Sequence, residues 1–70
     1  MLSNLIGELA KRRISNQELA NFLGVHRNSI YNKLMGETDF TLSEAFKIYN
    51  RYFQGLDFIW LFTPALTNRG

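Results

Sequence analysis

Seventy residues with no cysteine and a formal charge of +2 leave room for one domain, residues 1–70, around one small core, and they exclude disulfides, thiolate metal sites and thiol catalysis. The single histidine excludes a His-pair metal site, and no cofactor is expected. The most apolar run, "FIWLF", is far short of the roughly 20 residues that cross a bilayer. Apolar residues precede the basic "KRR" at the N-terminus, the reverse of a signal peptide, so the chain is expected to be cytoplasmic and to bind no membrane.

Leu2, Leu5, Ile6 and Leu9 recur at steps of three and four, which predicts a first helix with one buried face. Arg12 and Arg13 are expected to form its solvated end rather than a contact. Ser15 and Glu18 make an S-x-x-E capping box, so a second helix is expected from Asn16, with Leu19, Ala20 and Leu23 inward and Gly24 as its left-handed stop. His26 is a mediocre cap for a third helix that carries Ile30 and Leu34 on its inner side and is closed by Gly36. A second box, Thr41 with Glu44, opens a fourth helix that runs to about Phe53, with Leu42, Ala45, Ile48, Tyr49 and Tyr52 on one face. Gln54 and Gly55 break it. Asp57 caps a short fifth helix, "FIWLF", which Pro64 stops. No repeat, linker or strand pattern stands out.

Between Glu18 and Glu37 the only charged side chains are Arg27 and Lys33, so this segment is basic throughout. Two short helices joined through Gly24 cross at close range, with Ala20 at the crossing and Val25, Ile30, Leu19 and Leu23 filling the wedge. The outer face of the third helix is then free of packing duties. It holds His26, Arg27, Asn28, Tyr31 and Asn32, donors and acceptors suited to base edges: arginine can take guanine O6 and N7 together, and asparagine adenine N6 and N7.

These residues resemble the Cro/C1-type (Xre) helix-turn-helix family of phage and bacterial repressors. The family's motif reads roughly T-Q-x-x-L-A-x-x-L-G-V-S-x-x-x-I, and "SNQELANFLGVHRNSI" matches it at Leu19, Ala20, Leu23, Gly24, Val25 and Ile30. "LMGETDFTLSEAFKIYNRYF" is similar to the family's later segment, and the resemblance runs from Leu5 to about Phe62. Three positions depart from the pattern: Asn16 stands where glutamine is usual, His26 where serine or threonine caps the recognition helix, and Lys33 where an apolar residue is common.

The resemblance implies an all-α fold, a compact five-helix domain of lambda-repressor-like type containing a helix-turn-helix. It implies base contacts from His26, Arg27, Asn28 and Asn32 near the start of the recognition helix, with Tyr31 at a thymine methyl or a phosphate, or else partly buried. Asn16 resembles the family's phosphate-binding glutamine at a helix N-terminus, and Lys33 is a natural phosphate clamp. Phe58, Ile59, Trp60, Leu61 and Phe62 cannot all turn inward on one short helix. Phe58 and Trp60 are therefore expected to support dimerisation, which would place two recognition helices in successive major grooves.

The expected function is that of a sequence-specific double-stranded DNA-binding transcriptional regulator, a phage-type or mobile-element repressor that occupies a palindromic operator as a homodimer in a bacterial cell or a phage-infected host. The alternative is an antitoxin-like or adaptor module that keeps the helix-turn-helix scaffold and grips a protein. An enzyme is not expected, because a lone histidine and the lack of a carboxylate pair or a glycine-rich phosphate loop give acid–base and nucleophilic chemistry nowhere to start. No small-molecule substrate is expected either.

Overall fold

The computed structural model describes residues 1–63, in which all regular structure is helical: α1 (Ser3–Lys11), α2 (Asn16–Leu23), α3 (Arg27–Met35), α4 (Leu42–Tyr52) and α5 (Phe58–Leu61). Pro64, expected to stop the last helix, lies outside the described residues. Among the described residues no helix is long and apolar enough to cross a membrane.

The three- and four-residue spacing of α1 does what it predicts: Leu2, Leu5 and Leu9 are buried, and they meet Leu19 and Ala20 of α2, Ile30 and Leu34 of α3 and Ala45 and Ile48 of α4 in one core. Leu2 makes no side-chain cap for α1. Its amide donates instead to the Leu34 carbonyl (2.8 Å), which fixes the start of α1 on the end of α3.

Two helix starts carry the capping chemistry in different degrees. The Thr41 hydroxyl accepts from Glu44 N–H (3.1 Å) and the Glu44 carboxylate accepts from Thr41 N–H (2.9 Å), a complete box. At α2 only half of the expected box forms. Ser15 Oγ accepts from Glu18 N–H (3.0 Å), but the Glu18 carboxylate accepts from the Tyr52 hydroxyl on α4 (3.1 Å). A phenol from another helix competes there with the local amide, and the result ties α2 to α4.

The turn between α2 and α3 depends on Gly24, which sits at φ 72° and lets Val25 N–H reach back to the Ala20 carbonyl (3.0 Å), the closure that needs a left-handed residue. The same closure ends α1, where Ile14 N–H reaches Leu9 O (3.0 Å). There the left-handed residue is Arg13, at φ 57°.

Leu42 departs from expectation. It stands seven residues, about two turns, before Tyr49 and so on the same side of α4, yet it is exposed. Phe53, Leu61 and Phe62 close the far end of the core. The Tyr49 hydroxyl holds the turn after α4 by donating to Leu56 O (2.6 Å), and Asp57 caps α5 by accepting from Ile59 N–H (3.1 Å).

Candidate functional site

α2 and α3 pack against each other more extensively than any other pair of helices, and their first turns open on a common cleft of about 400 Å³ lined by Ser15, Asn16, Gln17, Arg27, Asn28 and Tyr31. Both walls begin with a helix N-terminus. The first N–H groups of a helix lack intrahelical acceptors and carry the positive end of its dipole, and Ser15 Oγ satisfies only that of Glu18 at the α2 end. At α3 the cap is His26, whose Nδ1 accepts from Asn28 N–H (3.2 Å). An imidazole nitrogen thus fills the place of a hydroxyl, and it holds the first turn of α3 in helical geometry.

No acidic side chain lines the cleft. The acids nearby in sequence are engaged elsewhere: Glu8 with Lys11 and Arg12, Glu18 with Tyr52, Glu44 with Lys33. The Glu8 carboxyl is held below its ordinary value by the hydrogen bonds from Arg12 and Lys11. Arg27 has no ion pair among the described residues and is exposed beside the amides of Asn16, Gln17 and Asn28. One guanidinium and two helix N-termini border the cleft, an arrangement that favours an anion.

Of the residues singled out in the sequence, Asn16, Arg27, Asn28 and Tyr31 come together at this cleft. Tyr31 is 54% exposed, which rejects partial burial as its role. His26 and Asn32 are exposed on the same helix but do not line the cleft. Sequence reasoning missed Gln17 and Ser15. Gln17 follows Asn16 directly and belongs to the same first turn; its amide nitrogen donates to Asn21 Oδ1 (2.9 Å), which holds the side chain along α2.

Lys33 is not placed as a free phosphate clamp. Its ammonium donates to both Glu44 carboxylate oxygens (2.8 and 2.9 Å), lies 5.7 Å from the centre of the Phe40 ring, and its side chain is only 15% exposed. Burial works to raise the Glu44 pKa, but hydrogen bonds from Lys33 and from Thr41 N–H outweigh it and hold the carboxyl below its ordinary value of 4.5. The departure from an apolar residue at position 33 is therefore accommodated by an acid eleven residues downstream.

The fifth helix also divides differently from expectation. Phe58 is half-buried and packs its ring against Phe46 (4.9 Å), Phe62 (5.1 Å) and Tyr49 (5.4 Å). Those contacts draw it into the molecule. Trp60 stays exposed, as does Ile59, while the Trp60 backbone carbonyl accepts from Asn4 Nδ2 (2.9 Å).

No protein-family model, curated protein or solved structure gives a significant match to this chain.

Proposed function

We propose that the chain binds double-stranded DNA through the α2–α3 face and acts as a sequence-specific transcriptional regulator, with the two helices serving as a helix-turn-helix of the Cro/C1 type in a lambda-repressor-like bundle. The observation that carries this reading is the acid-free cleft between two helix N-termini, walled by Arg27, Asn28, Asn16 and Gln17. Helix N-termini and amide side chains suit phosphate oxygens, and an exposed arginine and asparagine at the start of a helix suit base edges in a major groove. In this reading Arg27, Asn28 and Asn32 read bases, Tyr31 meets a thymine methyl or a phosphate, His26 caps the reading helix with one ring nitrogen and offers the other, and Asn16 with Gln17 holds the backbone. Lys33 positions α3 from behind.

A homodimer on a palindromic operator fits this assignment, because one short helix reads only a few base pairs. Trp60 and Ile59 are the outward apolar groups of α5 available to it. Selection of bound duplexes from a random pool tests the reading: an enriched palindrome whose recovery falls between about 50 and 200 mM salt supports it. A pool that returns no enriched sequence at the lower salt rejects it.

A further inference from the structure

A second surface carries charge for which the cleft gives no account. Lys11 and Arg12 pair with Glu8, and Lys33 pairs with Glu44. Lys47 and Arg51 stand four residues apart on the exposed side of α4, and neither has an acidic partner among the described residues. Like charges at this spacing repel and weaken a helix slightly, so folding of the single chain gains nothing from the arrangement.

Arg51 is also held in a particular way. Its guanidinium carbon lies 5.4 Å from the centre of the Phe22 ring and 5.6 Å from that of Tyr52, and the two rings meet edge to face at 5.8 Å. Aromatic faces attract the cation but offer no in-plane acceptor to its N–H groups. The planar fork is therefore ordered by α2 and α4 together while its donors stay open to solvent. Phe22 remains 38% exposed at the edge of this group.

We propose that Phe22, Lys47, Arg51 and Tyr52 form a docking surface for an acidic segment of a partner protein, one carboxylate taken by two parallel N–H···O bonds from Arg51 and a second by Lys47 about 5–6 Å away along α4. The one acid at its edge, Glu18, is held by the Tyr52 hydroxyl and makes no ion pair with Lys47 or Arg51, so both cations remain without a carboxylate. Arginine and aromatic side chains clustered in this way are the residue types that dominate protein interfaces. A nucleic acid fits less well, because Arg51 already lies over both rings and competes with a base for stacking on them. Phe22 also lies six residues beyond Asn16, about 9 Å along α2 and some 240° around it, away from the cleft. The proposal is independent of DNA binding.

Titration of the ¹⁵N-labelled full chain with a short capped peptide alternating Glu and Ser, with its Gln–Ser counterpart, and with a short duplex tests the surface. The Glu peptide is expected to move the amides of Phe22, Lys47, Arg51 and Tyr52 saturably, and the Gln peptide to leave them unmoved. Arg51→Ala should weaken the Glu peptide about tenfold, and Arg51→Lys nearly as much, because a point charge on a flexible stem does not replace a planar fork. Lys47→Gln should weaken it by a smaller factor. Both sites are on the surface, and the dispersion of the amide spectrum reports directly that each variant is folded. Equal shifts from both peptides, no shift from the Glu peptide, or shifts confined to the α2–α3 cleft overturn the proposal. If the duplex moves these four amides and Arg51→Ala weakens duplex binding with a shallower salt dependence, the surface is a phosphate contact and the acidic-partner assignment falls.

Discussion

At its first turn α3 leaves Arg27 and Asn28 open to solvent on the wall of a cleft that no acid lines; at its last turn it is tied on every side. Lys33 is bound by both oxygens of Glu44, the Leu34 carbonyl accepts from Leu2 N–H, and Gly36 closes the helix at φ 89°. The two basic side chains stand on one helix six residues apart and have opposite fates. What separates them is the placement of acids on neighbouring elements: Glu44 begins α4 under the end of α3, and nothing equivalent comes near its start. A cation is available for a ligand only where the fold has not already supplied its counter-charge. One end of α3 is therefore open to solvent while the other is fixed.

The severest way to break this contrast is to remove what both ends share. Ile30 lies midway along α3 with no exposed surface, between the core residues of α1 and α2. Ile30→Ala should destabilise the chain by about 2–5 kcal/mol, a large part of what about 0.05–0.15 kcal/mol per residue provides for a chain of this size. Urea denaturation followed by circular dichroism measures it. A loss below about 1 kcal/mol would mean that α3 is not anchored through Ile30 and that its ends behave independently.

Arg27→Ala addresses the open end alone. With no ion pair to lose, stability should stay within about 0.5 kcal/mol of the parent, while affinity for the best selected duplex should fall by about 1–3 kcal/mol and preference at one base pair per half-site should relax. Competition between operator and scrambled duplexes separates the two possibilities. If both lose the same factor, Arg27 is a phosphate contact, and base reading falls to Asn28 and Asn32.

The fixed end makes the opposite prediction. Lys33→Met and Glu44→Gln should each destabilise the fold by about 1–2 kcal/mol, since each leaves a partly buried charged or polar partner unpaired, and Lys33→Met should leave the slope of DNA affinity against salt unchanged. A slope reduced by about one unit would restore Lys33 to the backbone of the duplex. The pair also has a pH signature. Glu44 has its pKa lowered in the folded chain, so its contribution is fully present above the ordinary value of 4.5 and is lost as pH falls through the folded value. Below pH 4.5 the stability of the parent should decline more steeply than that of Glu44→Gln, a comparison that thermal melts at several acidic pH values make directly.

The contrast between the two ends also marks how far the sequence could be read. Helix positions, the glycine stops at Gly24 and Gly36 and the exposed row from His26 to Asn32 follow from local periodicity and backbone chemistry, and residues within one turn of each other settle them. Apart from the exposed Leu42, the departures are contacts between helices. Lys33 is paired with Glu44 of α4; Tyr52 takes the Glu18 half of the Ser15 box; Phe58 packs inward against Phe46 and Tyr49 of α4. Each needs the relative placement of two helices, which no window of the sequence contains. Gln17 is a smaller case: the family's phosphate-binding glutamine aligns with Asn16, one residue earlier, although both side chains belong to the same first turn and line the same cleft.

The smallest effect asks where the open region stops. α1 ends in the same closure as α2 and α3, but with Arg13 rather than glycine in the left-handed position, a conformation that costs a non-glycine residue about 1 kcal/mol. Arg13 is exposed and has no ion pair among the described residues, and it stands two residues before the cap of α2. Arg13→Gly should therefore stabilise the chain by up to about 1 kcal/mol, less whatever the extra freedom of glycine in the unfolded chain takes back. DNA affinity decides what the strained arginine is for. If stability rises and affinity stays constant at low salt, the open region begins at Ser15 and Arg13 is only a solvated helix end, as its position in "KRR" implies. If stability rises while affinity falls equally on operator and scrambled duplexes, Arg13 holds a phosphate, and the cation-bearing face extends from α3 across the α1–α2 turn. A loss of stability would contradict the backbone argument itself, since it would require the Arg13 side chain to make a contact worth more than the strain it carries.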